Sequence, residues 1–285
     1  MPFIELSRIS KAFRPGTGPV RHVLEAISLS VDRGEFVSIV GFTGCGKSTL
    51  LKIAAGLLPA DTGEVRVEGE LLQGVRAEAA IVFQNYSLLP WFSALENVRL
   101  AVQAALPRLS RDAQRAQARR YLDLVGLGNA LHRRPSQLSG GMRQRVAIAR
   151  AFAAEPALLF LDEPFGALDA LTRGALQQEL TDLCSAAARP VTTIMITNNI
   201  EEALLLSDRI IPMTRGPRAT LGEPIPIDLP RPRTAAQLPH DEAAMGLRAR
   251  VVGCLTGRPH PSLPVARVEP ALQAWVQPLE RGTES

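Results

Sequence analysis

Aromatic residues are scarce in this sequence: they make up 5% of its 285 residues, although 46% of the chain is hydrophobic. The core must therefore consist mainly of Leu, Ile, Val and Ala, as is typical of α/β proteins with buried parallel strands. A chain of this length can bury a full core, and we expect one large domain with an appendage.

Cysteine is equally scarce. Cys45, Cys184 and Cys254 lie far apart in the sequence and include no CxxC pair. This odd number of distant cysteines excludes a disulfide framework and a paired-cysteine metal site, and it predicts a reducing, cytoplasmic environment.

Long runs of one charge and long apolar runs are both missing. The formal net charge is +4 and the basic residues are scattered, so we expect no nucleic-acid partner. The N-terminus lacks the basic and apolar segments of a signal peptide. No window of about 18 apolar residues exists, because Glu155 and Pro156 interrupt the most apolar stretch, and we expect the chain not to cross a membrane by itself.

Short strand-like and helical segments alternate along most of the chain. Apolar and polar residues alternate imperfectly in a predicted N-terminal β layer at 3–14 and 23–31. Apolar runs predict further strands at 36–40, 65–67, 79–83, 157–161 and 191–196. Helical patterns fall at 47–58, 113–125 and 200–206. The alternation predicts an α/β fold with a mainly parallel sheet, an antiparallel β layer and a helical insertion at about 86–153.

Proline is concentrated toward the C-terminus. Twelve of the 22 prolines lie between Pro212 and the end of the chain, and Pro230-Arg231-Pro232-Arg233 cannot form regular helix. We therefore divide the chain into a domain at 1–217 and a proline-rich extension at 218–285. We interpret the extension as a partly extended, disordered linker rather than a sensor domain.

A phosphate-binding loop stands between a predicted strand and a predicted helix. Gly41-Phe42-Thr43-Gly44-Cys45-Gly46-Lys47-Ser48-Thr49 matches the pattern GxxxxGK[ST]. Its glycines allow backbone N–H groups to turn toward a phosphate, and the helix N-terminus adds positive potential. Lys47 can neutralise the β and γ oxygens of a nucleotide, and Ser48 can offer its hydroxyl to Mg²⁺. A glycine-rich turn with a solvated lysine does not explain the strand and helix on either side.

Two carboxylates follow the apolar run Leu158-Leu159-Phe160-Leu161. Asp162 and Glu163 fall at the C-terminal end of that predicted strand, where ligands bind in open α/β sheets. Asp162 can hold Mg²⁺ through water, and Glu163 can polarise an attacking water as general base. By itself the pair would indicate a solvated turn, but beside a phosphate loop it indicates nucleotide hydrolysis. These motifs alone leave open a kinase, a GTPase or a recombinase-like ATPase.

A second glycine pair follows a serine in Leu138-Ser139-Gly140-Gly141-Met142-Arg143-Gln144-Arg145. Ser139 can cap a helix while Gly140 and Gly141 leave its N–H groups bare, which makes a second anion site. An ordinary capped helix start is the alternative for these three residues alone. The stretch resembles the LSGGQ signature of ABC ATPases, a family of P-loop NTPases, and the resemblance extends over about 2–217.

The resemblance implies further roles and a partner. Phe13 corresponds to the aromatic residue that stacks on adenine, with a core phenylalanine as the alternative. Gln84 corresponds to the glutamine that touches Mg²⁺ and senses the membrane subunit, and Ala167-Leu168-Asp169 corresponds to the D-loop that crosses between subunits. In this family two copies meet head to tail, and each ATP lies between the phosphate loop of one copy and the Ser139-Gly140-Gly141 segment of the other.

The chain departs from the family at one position. The family has a histidine in a T-H-D pattern that contacts the γ-phosphate, whereas this sequence has Thr197-Asn198-Asn199. Asn198 can donate a neutral hydrogen bond but carries no charge. Because Glu163 is present, we expect slower hydrolysis rather than none, or pairing with a different ATPase subunit.

Other segments resemble those of importers. Leu88-Leu89-Pro90-Trp91 and Ala94-Leu95-Glu96-Asn97-Val98 are similar to the "LLPW…NV" stretch of the nitrate, sulfonate and taurine group, and the segments 207–217 and 228–233 favour its nitrate, cyanate and bicarbonate branch. The resemblance implies a permease, an indirect periplasmic solute-binding protein and a position on the cytoplasmic face of the cell membrane. Trp91 would meet the permease, or else be a core residue. The alternatives are a regulatory or weakened ABC subunit and a non-transport ABC protein.

Overall fold

The computed structural model describes residues 1–257 except 15, 17, 167 and 187–189, and this part of the chain contains two β-sheets, seven α-helices and two short 3₁₀ helices. The strands are β1 (Ile4–Phe13), β2 (Arg21–Val31), β3 (Phe36–Val40), β4 (Thr62–Val67), β5 (Glu70–Leu71), β6 (Ala79–Val82), β7 (Leu158–Asp162), β8 (Thr192–Thr197), β9 (Arg209–Pro212) and β10 (Ile225–Pro226). The helices are α1 (Lys47–Ala54), α2 (Ala94–Ala105), α3 (Arg111–Leu124), α4 (Gly140–Ala153), α5 (Ala170–Ala186), α6 (Ile200–Leu206) and α7 (Glu242–Thr256).

The larger sheet has the strand order β10-β9-β3-β8-β7-β6, and only the pair β10–β9 is antiparallel. Strands β3, β7 and β8 are buried along their whole length, because other elements cover both faces of the sheet. This burial explains their continuous apolar runs. Val40 pairs with Thr197 and Asp162 with Ile196, so the three strands end at the same edge.

The smaller sheet is antiparallel, with the order β2-β1-β4-β5, and forms the predicted β layer. Its apolar face shares a core with α1 and with one face of the larger sheet. Helices α2 to α5 share a second core with the larger sheet, built around residues such as Val98, Leu122 and Ile148. Parallel sheet, β layer and inserted helices are therefore arranged as the sequence predicts.

Serine caps define the helical insertion. Ser93 and Glu96 form a reciprocal capping box at α2. Ser110 caps α3, which begins at Arg111, two residues before the predicted start at 113. Helix α1, in contrast, ends at Ala54 and not at the predicted Leu58. Gly56 has φ +73°, and the N–H groups of Leu57 and Leu58 turn back to the carbonyl of Lys52, which ends the helix before proline is reached.

The prediction of a disordered linker after residue 217 is wrong for residues 218–257. Ile225, Ile227 and Leu229 are buried in a third core with α6 and α7, and β10 extends the larger sheet. The guanidinium group of Arg233 donates to four backbone carbonyls, at Leu204, Ser207, Ile227 and Leu229. The prolines prevent a regular helix here, but the alternating apolar residues between them still pack into this third core.

The division of the chain at residue 217 stays a prediction, and residues 258–285 of the predicted extension lie outside the described residues. Across the described part of the chain, no helix is both long enough and apolar enough to span a bilayer.

Candidate active site

The phosphate loop connects β3 to α1 at the shared edge of the larger sheet. Gly44 has φ +80° and Gly46 has φ +116°, conformations that side chains disfavour. A Cβ atom on Gly46 would also come within 2.8 Å of Val23. Lys47 is 4% exposed, and its Nζ donates to the carbonyls of Gly41 (2.9 Å) and Phe42 (3.1 Å). The lysine therefore lies folded along the loop.

Lys47, Gln84 and Glu163 meet at this edge. The Nζ of Lys47 lies 3.5 Å from Oε1 of Glu163, and Nε2 of Gln84 lies 3.4 Å from Oε2 of the same carboxylate. Glu163 itself has φ +44°, and its N–H donates to the carbonyl of Ile196 in the neighbouring strand. A non-glycine residue in this conformation is strained, and such strain occurs often at functional sites.

Ser48 and Asp162 form an oxygen-rich pair beside these groups. The hydroxyl of Ser48 donates to Oδ1 of Asp162 at 3.0 Å. Burial raises the pKa of Asp162 above its usual value, and the hydrogen bond from Ser48 opposes that shift. A buried carboxylate with a hydroxyl beside it suits a hard divalent cation, which would favour the charged form. Among the described residues no three His, Cys, Asp or Glu side chains gather as a metal site, so phosphate oxygens and water would complete the coordination.

A hollow of 1320 Å³ opens over the loop, and its lining includes Phe13, Phe42 to Thr49, Gln84 and Glu163. Phe13 is 41% exposed, so it is not a core residue. The Nζ of Lys11 lies 5.6 Å from the centre of the Phe13 ring. One open face of the ring can therefore stack on a planar base.

Sequence reasoning missed four basic side chains in the lining of this hollow: Arg14, Arg21, His22 and Arg215. Arg21 and His22 pair across the β layer with Phe13 and Ala12, a register that the sequence pattern does not give. The guanidinium of Arg215 lies 4.0 Å from the centre of the Phe42 ring. Together these groups make the rim electropositive, which favours a polyphosphate.

Ser139, Gly140 and Gly141 lie at the start of α4, and none of them lines the hollow. The exposed Ser139 caps the helix by accepting from the N–H of Met142 at 3.2 Å. A Cβ atom on Gly141 would approach Cγ2 of Thr172 to 2.5 Å, so glycine allows α4 and α5 to pack closely. The N–H groups of Gly140 and Gly141 lie in the first turn of α4, where a helix offers no internal acceptors for them.

The loop after β8 contains Asn198, which is exposed, and Asn199, whose Oδ1 accepts from the N–H groups of Glu201 and Glu202. Asp169 lies at the start of α5, where its Oδ1 accepts from the N–H of Thr172. Ala167 of the predicted D-loop lies outside the described residues. The structure thus brings Gln84, Glu163 and the phosphate loop together, and leaves the signature segment apart from them.

A buried glutamate connects the β8 loop to α5, and sequence reasoning missed it. Glu202 is 4% exposed, accepts from the hydroxyl of Thr197 (2.8 Å) and from Nδ2 of Asn199 (3.3 Å), and lies 3.8 Å from Nε of Arg173. Burial raises its pKa above the usual value, and the Thr197 hydrogen bond and Arg173 oppose the shift. Its acidic neighbour Glu201 is exposed, so the sequence alone gives no sign of which one is buried.

Comparison with known proteins adds to this geometry. A family model described as ABC transporter matches residues 24–166. The chain is 47% identical over 256 residues to the nitrate import ATP-binding protein NrtD of Synechococcus elongatus, covering 90% of this chain and 92% of that protein. It is 43% identical over 256 residues to the bicarbonate transport ATP-binding protein CmpD of Synechocystis, covering 90% of each.

Two further comparisons concern length and fold. The chain is 45% identical over 251 residues to the bicarbonate transport ATP-binding protein CmpC of Synechococcus elongatus, but it spans only 37% of the length of that protein. The solved structure of the ATP-binding cassette MJ0796, a dimer in a post-hydrolysis state bound to ADP and Pi, is 30% identical with a TM-score of 0.70. That match covers 79% of this chain and 99% of the solved one.

Proposed function

The chain belongs to the ABC transporter family, and from that premise we propose that it is the ATP-hydrolysing subunit of an importer for a small anion such as nitrate or bicarbonate. One observation carries the enzymatic part: Lys47, Gln84 and Glu163 converge within 3.5 Å beside the phosphate loop. The import part is supported by the likeness to NrtD and CmpD, which this chain matches over nearly their whole length.

The residues divide the chemistry among them. The loop from Gly41 to Thr49 would bind the phosphates, and Lys47 would leave Glu163 for the γ-phosphate when nucleotide enters. Glu163 would then be free to accept a proton from the attacking water. Ser48 and Gln84, with Asp162 through water, would hold Mg²⁺, which neutralises phosphate charge when bound.

A second cassette subunit would complete each site. The N–H groups after Ser139 belong to a helix N-terminus that does not line the hollow over its own phosphate loop, so they would bind the nucleotide of another chain. In this arrangement Ser139, Gly140 and Gly141 clamp the partner's ATP, and Asp169 lies at the junction. The dimeric state of MJ0796 supports this proposal.

Trp91 is the proposed contact with the permease. It is 61% exposed, which argues against the alternative of a core residue. Asn97 fixes the loop beneath it, because its side chain accepts from the N–H of Leu89 and donates to the carbonyls of Leu89, Phe92 and Ser93. A large aromatic side chain on a rigid loop is a suitable anchor for a partner subunit at the cytoplasmic face of the cell membrane, with a periplasmic binding protein delivering the anion.

Co-expression of the chain with permease subunits of a nitrate or bicarbonate importer, followed by purification, tests the whole proposal. We expect a stable complex whose ATP turnover rises when the loaded solute-binding protein is added, and nitrate or bicarbonate uptake into vesicles that contain the complex. ATP turnover without any permease association would contradict the import role, and permease association without turnover would contradict the enzymatic one.

Asn198→His is expected to raise basal ATP turnover severalfold, because an imidazole can carry the positive charge that an amide cannot. Steady-state phosphate release by the purified chain measures this. Asn199→His is the matched control: it adds the same group one residue away but removes the cap of α6, so it should not raise turnover. An unchanged or lower rate in Asn198→His would count against placing Asn198 where the family has its γ-phosphate histidine.

Glu202→Gln is expected to slow turnover with little change in fold at neutral pH, because glutamine keeps the shape but loses the charged link to Arg173. The raised pKa of Glu202 also determines how stability depends on pH. The contribution of Glu202 to folding stability is full below the usual pKa of 4.5, and it is lost as pH rises through the raised pKa of the folded state. Thermal unfolding of parent and variant between acidic and neutral pH should show the unfolding temperature of the parent falling relative to that of Glu202→Gln as pH rises. A pH-independent difference between the two unfolding temperatures would contradict the prediction.

A further inference from the structure

Helix α3 carries a row of arginines that the proposed function does not use. Arg111, Arg115 and Arg119 are spaced by four residues, so they lie on one face of the helix, and all three are exposed. With Arg120 beside them they form what we call the arginine face. At the helical rise the row extends over about 12 Å.

The row of arginines lowers the stability of α3 itself. Like charges four residues apart repel each other on a helix, and the row contains two such pairs in succession. Arg111 also opens the helix, where the macrodipole disfavours a positive charge. Arg119 has an ion pair with Asp123 at 3.8 Å, whereas Arg111 and Arg115 have none within the described ranges. For Arg111 and Arg115 the pattern costs local stability with no ion pair to offset it, and a broken local rule of this kind is typical of a functional surface.

The segment that contains the row also carries a net positive charge. Residues 93–139 contain eight arginines and three carboxylates, a net charge of +5, whereas the whole chain carries +4. The positive charge of the molecule is therefore concentrated in the helical insertion. Arg115, Arg119 and His132 line a hollow of 250 Å³ against Leu95 in the first turn of α2, and Asp112 is the one carboxylate in its lining. This end of α2 directly follows the exposed Trp91.

We propose that the arginine face binds the anionic headgroups of membrane phospholipids beside the permease. Guanidinium groups match phosphate geometry, and basic side chains on a helix are attracted to an anionic leaflet. The exposed Leu124 in the last turn of α3 lines a shallow hollow with Arg119 and Arg120, and it adds an apolar group of the kind that inserts at a membrane interface. The inference rests on the proposed function, because an importer subunit works next to a membrane.

Co-sedimentation of the purified full chain with vesicles tests this proposal. We expect binding to vesicles that contain phosphatidylglycerol, little binding to pure phosphatidylcholine, and release at high salt. The triple variant Arg111→Gln, Arg115→Gln, Arg119→Gln should bind the anionic vesicles at least about tenfold more weakly, since each basic group near the surface contributes separately. Glutamine is a good helix former and removes the repulsion, so this variant should fold.

The matched control variant is Arg33→Gln, Arg66→Gln, Arg218→Gln. It removes the same charge from exposed ion pairs outside α3 and should keep parental vesicle binding. Equal losses in both variants would show a response to net charge and overturn the proposal. So would binding that ignores phosphatidylglycerol, or crosslinking of Arg115→Cys to an acidic permease segment while vesicles fail to bind. ATP turnover measured in detergent should be the same in the α3 variant as in the parent. If the parent itself hydrolyses no ATP, the proposed enzymatic function is contradicted, independently of the vesicle-binding result.

Discussion

Glu163→Gln should lower ATP turnover by about 100-fold or more and leave ATP binding intact, because glutamine keeps the shape of the side chain but cannot accept a proton. The carboxylate lies where a general base is needed, with its two oxygens 3.5 Å from Nζ of Lys47 and 3.4 Å from Nε2 of Gln84. Steady-state phosphate release measures the loss, and equilibrium binding of labelled ATP measures what remains.

Glu64→Gln is the matched control for this change. Glu64 forms an exposed ion pair with Arg66 on β4, away from the hollow, so its loss should leave turnover unchanged. Glu163→Gln that hydrolyses ATP at the parental rate would show that another group is the base. Loss of ATP binding together with turnover would indicate damage to the loop rather than removal of a base.

A mixture of two inactive variants should regain activity if the nucleotide is bound between two chains. Lys47→Ala disables the phosphate loop, and Ser139→Arg fills the anion site at the start of α4, so each variant alone should show only background turnover. In a head-to-tail pair of one Lys47→Ala chain and one Ser139→Arg chain, both defects fall in one site and the other site is intact. Since half of the pairs in an equal mixture are of this kind, turnover should return to about a quarter of the parental value.

Titration of the two variants at constant total concentration measures this effect, with a maximum at equal amounts. The control mixture is Lys47→Ala with Glu163→Gln, in which the defects fall in different sites of a mixed pair and no intact site forms. Recovery in the first mixture and none in the control would support the shared site. Absence of recovery in both would show that each chain works without the other's Ser139.

The sequence predicts those features whose pattern is local. Strands β3, β7 and β8 are buried on both faces, and so their apolar runs are continuous and easily identified. The phosphate loop is identifiable because its backbone conformation needs glycine at Gly44 and Gly46. In both cases the residues that carry the signal are neighbours in the chain.

Features that depend on long-range contacts were not predictable in the same way. Glu202 looks identical to Glu201 in the sequence, and only the packing of α6 against α5 buries one of them. Arg21 reaches the hollow through its register with Phe13 across two strands. The alternating Ile225, Ile227 and Leu229 were a usable signal, but the prolines between and after them hid it.

Residues 218–257 have a practical consequence for protein engineering. A chain cut after residue 217 would lose the edge strand β10, expose the apolar side of α6, and leave the carbonyls of Leu204 and Ser207 without Arg233. Such a fragment should aggregate, since an open sheet edge beside exposed apolar residues is a template for association. The smallest soluble cassette would therefore have to extend through α7, and reporter tags belong after Gly257.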